Sequence, residues 1–276
     1  MGPACRALHI SRASYYQWRS GTAGGRVAEN QRIAQLVQEI HRESPDKGYR
    51  RIRDDLDKYY HTPVNDKRTL RICRCLGIQS AVKHAPHGCT RAASSPRQLA
   101  ENVLDRQFYA DRPNEKWLTD VTEFHYYTGT NMRKLYLSAI LDLCDRRIVS
   151  FVIRDTNDAA LVHRTLAQAL EGNPGARPLL HSDRGSAYTT QIFHDKLAAA
   201  GITQSMSRVG KCIDNGPMEG FWGILKRERY YGRRFTSREQ LVKMIQEYIT
   251  YYNFHRLQRG LGVRTPMEVH DRLLAA

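Results

Sequence analysis

"KWLTDVTEFHYYTGTNMRKLYLSAILDLCDRRIVSFVIRD", residues 116–155, holds three apolar or alternating runs rich in Val, Ile, Leu, Tyr and Phe. Turns at Thr128 to Asn131 and at Cys144 to Arg146 separate them. Runs of that composition between short turns predict three consecutive antiparallel strands. Downstream, "NDAALVHRTLAQALE" reads as a helix closed by Gly172-Asn173-Pro174-Gly175. It is followed by a short strand in "PLLHSD", a helix in "TTQIFHDKLAAAG" and a strand in "ITQSMS". Three antiparallel strands followed by helix, strand, helix and strand describe a mixed α/β sheet with helices packed on it.

That order of elements matches the ribonuclease H-like layout, so residues 113–276 read as one α/β domain with C-terminal helices. Upstream, "AENQRIAQLVQEIHRE" (28–43) places Ile33, Leu36, Val37 and Ile40 at helical spacing. A second helix in "YRRIRDDLDKYY" turns Ile52, Leu56 and Tyr59 or Tyr60 inward. Asn65 is a good N-cap for a third, "DKRTLRICRCL", and Gly77 a natural stop. On that helix Lys67, Arg71 and Arg74 share one face, with Arg68 beside them, while Leu70, Cys73 and Leu76 line the other. Residues 1–82 therefore read as an all-α, helix-turn-helix-like module whose basic face would meet DNA, the alternative being a solvated charged face. Within it "HISRASYYQWR" suggests a turn at Ile10-Ser11 and a short aromatic helix from Ser14 to Trp18. Residues 83–112 read as a basic linker.

The chain carries 43 Lys and Arg against 28 Asp and Glu, a formal charge of +15. Spread along the sequence, that excess points to a polyanionic partner, nucleic acid before membrane. No apolar run approaches the ~18 residues a bilayer span requires, and the first twenty residues lack the apolar core of a signal peptide. A cytosolic location is expected. Six scattered cysteines do not form a disulfide framework. Cys73 and Cys75 with His84, His87 and Cys89 offer zinc-compatible groups at irregular spacing, but Cys73 falls on an apolar helix face, where a free Cys is usually core.

Three acids carry the chemical argument. Asp120 interrupts an apolar, β-branched strand face in "KWLTDVTEF", and Asp183 lies at the end of the fourth strand in "LLHSDRGS", where ligands of open α/β sheets usually bind. Glu219 opens a helix in "DNGPMEGFWGILKRE". Each alone has an ordinary reading: a surface acid, a turn, a carboxylate favoured by the helix dipole. Together, on neighbouring strands and a helix crossing them, they would supply the oxygen ligands for a pair of divalent ions about 3.5 to 4 Å apart, the arrangement used for phosphoryl transfer.

Asp120, Asp183 and Glu219, with 35 residues between the last two, reproduce the Asp, Asp-35-Glu pattern of retroviral-integrase-like transposases. "PNEKWLTDVTEF", "HSDRGSAYT", "SMSRVGKCIDNGPMEGFWGILKRE" and "YITYYNFHRLQRGLGVRTP" resemble the OrfB transposase of the insertion-sequence-three family, and the likeness extends back through "KGYRRIRDDLDKYYHTPVNDKRTLRICRCLGI". The resemblance implies a catalytic subunit that holds two Mg²⁺ or Mn²⁺ ions on Asp120, Asp183 and Glu219. It would cleave the ends of an insertion sequence and join the freed 3′-hydroxyl to target DNA through a circular intermediate. It further implies that Lys226, seven residues after Glu219, contacts a DNA phosphate, that an upstream OrfA product supplies end recognition and a zipper, and that the protein works as a homo-oligomer on DNA. His181, Ser182, Arg184, Gly185, Asn215 and Gly216 flank the site and are read as turn residues that shape it, Trp117 and Trp222 as packing residues, the alternative being stacking on DNA bases. Gly220, and Cys144 with Asp145, depart from the family pattern. The rival readings are a nuclease that cuts without joining and a silent DNA-binding protein.

Overall fold

Capping side chains set the starts of six of the ten α-helices among the described residues. The computed structural model describes residues 2–20, 25–82, 99–208 and 212–275, which fall into two units, Met1–Lys83 and His84–Ala276.

The first unit is helical: α1 (Gly2–Ala7), α2 (Arg12–Arg19), α3 (Gly25–Glu43), α4 (Tyr49–Lys58) and α5 (Asp66–Cys75). Ser11 caps α2 through the Ser14 amide, so this aromatic helix starts two residues before the expected Ser14. Ile33, Val37, Ile40, Ile52, Leu56, Ile72 and Cys73 form the core of α3 to α5. Tyr60 packs against it, whereas Tyr59 is exposed. Asn65 accepts the Arg68 amide at 2.8 Å to start α5, and Gly77, at φ +67°, follows its end. The inward face of α5 differs from the expected one, because Thr69, Ile72 and Cys73 are buried while Leu70 is only half-buried. Thr69 tolerates burial because its hydroxyl donates to the Asn65 carbonyl at 3.2 Å.

The second unit is built on β1 (Lys116–Thr128), β2 (Asn131–Asp142), β3 (Ile148–Arg154), β4 (Leu179–Ser182) and β5 (Thr203–Met206). The sheet order is β3-β2-β1-β4-β5, the first three strands antiparallel and β1, β4 and β5 parallel. This is the expected ribonuclease H-like mixed sheet. Gly129 at φ +62° lets the β1–β2 turn close with Thr128 opposite Asn131. The Asp158 and Thr190 side chains cap α6 (Ala159–Glu171) and α7 (Gln191–Ala199). These helices cover one face of the sheet over Trp117, Ile140 and Leu180. The other face carries Leu118, Phe124, Leu135, Leu137 and Leu141 under α8 (Gly216–Leu225) and α9 (Arg238–Phe254). A single π-helical turn, Lys226–Tyr230, extends α8, and α10 (Pro266–Leu274) ends the fold with a capping box on Thr265.

Part of the stretch expected as a linker, residues 83–112, packs into the second unit. Leu104 and Ala110 are buried in the α8–α9 core with Phe108 against it, and the Leu104 amide donates to Ser205 Oγ at 3.1 Å. Isolated anchors in an aperiodic stretch give no sequence signal. Residues 83–98, with His84, His87 and Cys89 of the zinc candidate, lie outside the described residues; Cys73 is buried and Cys75 exposed. Among the described residues no helix is long and apolar enough to cross a membrane.

Candidate active site

Sheet register brings Asp120 and Asp183 together. β1 and β4 pair with Leu118 beside His181, and the same offset sets Asp183, one residue past β4, level with Asp120. Alternation along both strands turns the two acids to the face of Leu118 and Leu179, under α8. Glu219 stands in the first turn of α8. Asp120 is half-buried, while Asp183 and Glu219 are exposed. Burial, then the Asp183 carboxylate, push Asp120 up to about 7, with Glu219 contributing less. Desolvation raises Asp183, although the residue keeps an exposed surface. It raises Glu219 too, helped by repulsion from Asp183. The three acids are thus near enough to disfavour one another's charge.

Among the described residues no three His, Cys, Asp or Glu side chains are closed up as a ready metal cage. The donor set still suits a hard cation: it is all carboxylate oxygen, and its unbalanced repulsion is what a divalent ion would relieve.

The neighbours fix each acid. Trp222 Nε1 donates to Asp120 Oδ2 at 3.0 Å, so this tryptophan both packs in the core and touches the site. Trp117 is buried and directs Nε1 to Asp142 Oδ2 at 3.3 Å, away from the acids. The Gly185 amide donates to Asp183 Oδ1 at 2.8 Å, and a Cβ at Gly185 would stand 2.9 Å from that oxygen. His181 is buried between Ser205 Oγ at 2.8 Å and Ser207 Oγ at 3.0 Å, and burial lowers it to about 4. It is a neutral structural histidine. The Ser182 hydroxyl donates to the Asp183 carbonyl and Arg184 Nε to the Ser207 carbonyl, so both shape the loop. Asn215 Nδ2 donates to the Thr119 carbonyl at 3.1 Å, joining the start of α8 to β1 beside Asp120. Gly216 is the first residue of α8. At Gly220 an added Cβ would meet nothing within 4 Å, so nothing in the packing selects glycine there.

Lys226 follows the last residue of α8, half-buried, its ammonium 5.0 Å from the Phe124 ring centroid. Burial lowers it, against the pull of Glu123 and Asp120. Its charge therefore sits over Phe124 of β1, within electrostatic reach of Glu123 and Asp120. Asp145 has a structural part: fully buried, it accepts from His270 Nδ1 at 2.7 Å and from the Arg147 amide at 2.9 Å, tying α10 to the β2–β3 turn.

In the helical unit Lys67, Arg71 and Arg74 are exposed. Arg68 is turned inward, its guanidinium on Glu29 at 3.0 Å and Asn30 at 2.9 Å. Arg26, Asn65, Lys67, Arg68 and Arg71 line a recess of about 520 Å³.

Comparison with known proteins supports the same reading. Residues 110–212 and 200–266 match family models both described as integrase core domain, and residues 28–86 match an HTH-like domain. The chain is 36% identical over 270 residues to InsK, the transposase assigned to insertion sequence element IS150 of Escherichia coli K12, covering 97% of this chain and 92% of that protein. It is 28% identical over 285 residues to InsF, the transposase for insertion sequence IS3A of the same organism, covering 98% of this chain and 94% of that one. A chain of the simian T-cell lymphotropic virus intasome shares the fold at 19% identity and a TM-score of 0.50, over 86% of this chain and 74% of that one. With relatives matched along nearly their whole length, the chain belongs to the integrase-core transposases of the IS3 family of insertion sequences, enzymes that cleave and join DNA.

Proposed function

We propose that the protein is the catalytic subunit that excises and inserts an insertion sequence, with Asp120, Asp183 and Glu219 holding two Mg²⁺ or Mn²⁺ ions. The observation that carries this reading is the convergence of the three carboxylates, two by strand register and one by α8, with the upward shift of all three. Bound divalent ions would lower the pKa of the attacking water or 3′-hydroxyl and neutralise the leaving oxygen. Trp222 and the Gly185 amide hold the rotamers of Asp120 and Asp183, so both carboxylates are set before DNA arrives. Lys226 pairs with a phosphate beside the scissile bond, leaving the Phe124 ring or sliding across it. Lys67, Arg71 and Arg74 are the exposed cations of α5 that track DNA phosphates, whereas Arg68 serves the α3–α5 junction. The resemblance adds an OrfA product as partner, a homo-oligomer on DNA and a cytoplasmic site of action.

A strand-transfer assay with 3′-labelled element ends tests this. Nicks and joined products should form with Mg²⁺ and vanish with chelator. Cutting without joining would indicate a plain nuclease, and cation-independent DNA binding without cleavage would remove the enzymatic reading.

A further inference from the structure

The segment leading into α8 is anchored to three other parts of the second unit. Asp214 is fully buried. Its carboxylate accepts from Arg208 through Nε at 2.9 Å, Nη2 at 2.8 Å and the backbone amide at 3.1 Å. It also accepts from Arg106 Nε at 2.8 Å and Asn102 Nδ2 at 3.3 Å. Those bonds, Arg208's first, hold the acid well below the usual carboxylate range. The next residue, Asn215, occupies the N-cap position of α8 but makes no capping bond there. Here the amide is spent on the Thr119 carbonyl, one residue before Asp120. Two adjacent side chains thus join the start of α8 to residues 102–106, to Arg208 after β5 and to β1. In a chain of formal charge +15, two half-exposed arginines are committed to a buried acid.

We propose that Asp214 and Asn215 are positioning residues that set Glu219 against Asp120 and Asp183, with Arg106 and Arg208 as the posts of the clamp. This rests on the metal-site reading above. Glu219 lies four residues beyond Asn215 in the first turn, so a shift of the helix start moves its carboxylate directly.

The test uses the full chain: Mn²⁺ binding by calorimetry, the Mg²⁺ concentration for half-maximal nicking, and melting in chelator. Asn215→Ser is the informative variant, since serine keeps a small polar side chain at the start of α8 while removing the amide that holds β1. Its melting temperature should stay near that of the wild type, while Mn²⁺ affinity falls and the Mg²⁺ requirement rises, each by roughly tenfold to a hundredfold, as for loss of a ligand's supporting hydrogen bond. Asp214→Asn should shift both in the same direction and also melt earlier. Wild-type Mn²⁺ affinity in folded Asn215→Ser, or a melting loss in Asp214→Asn with metal binding untouched, would overturn the clamp and leave the metal site standing. A wild-type chain that binds no Mn²⁺ would overturn the metal-site reading and the clamp with it.

Discussion

Asp183→Asn should raise the stability of the metal-free protein at pH 8 while abolishing its cleavage. The substitution keeps an oxygen that can accept the Gly185 amide, a bond of 2.8 Å in the wild type, so the loop holds. What it removes is charge. Asp120 stands at about 7 instead of 3.8, through burial first and Asp183 second. A raised acid keeps its proton in the folded chain after the unfolded chain has released it. Stability is therefore full below about pH 4 and declines as the pH rises through about 7. A rise from 3.8 to about 7 corresponds to roughly 4 kcal/mol as a ceiling, and the share of Asp183, second to burial, is a fraction of it. Urea denaturation in chelator at pH 8 and pH 4 measures it. The variant should exceed the wild type by that amount at pH 8, and the gap should close near pH 4. Added Mg²⁺ should stabilise the wild type, as any ligand of the native state does, and not the variant. A variant less stable than wild type at pH 8, or a gap unchanged at pH 4, would show that the Asp183 charge does not oppose that of Asp120.

Lys226→Met should leave the fold within about 1 kcal/mol of wild type, since a desolvated ammonium and its ring contact are exchanged for an apolar chain on Phe124. Cleavage and joining should fall roughly tenfold to a hundredfold, the loss of one charge-assisted hydrogen bond; wild-type rates across the salt range would contradict the phosphate role. Arg71→Ala with Arg74→Ala should weaken DNA binding and flatten its dependence on log salt, whereas Arg68→Ala should lower the melting temperature of the helical unit. The reverse pattern in binding and melting assays would exchange their roles. Asp145→Ala should cost about 3 to 5 kcal/mol in denaturation, because it strands His270 and Arg147 beside an empty buried position; a loss under 1 kcal/mol would show that the buried network is dispensable.

The strands were legible because their apolar alternation is local, and Asp120 stood out as a carboxylate on such a strand. Asp183 and Glu219 were legible through spacing and the motif around them. Residues acting across long separations were not. Trp222 reads as core in any helical pattern, and its bond to Asp120 exists only because α8 crosses β1. Asp214 looks like a turn residue until Arg106, far upstream, is folded against it. Arg68 belongs to a basic cluster on the helical wheel, yet its direction is decided by Glu29 on α3. Leu104 and Ala110 failed for the opposite reason, since single apolar anchors have no period.

Anomalous scattering from crystals soaked in Mn²⁺ would locate the metal ions on the three carboxylates. Manganese peaks should appear bounded by the Asp120, Asp183 and Glu219 carboxylates and be lost in Asp183→Asn. Manganese bound elsewhere, with those three side chains unligated at saturating metal, would contradict their metal-binding role.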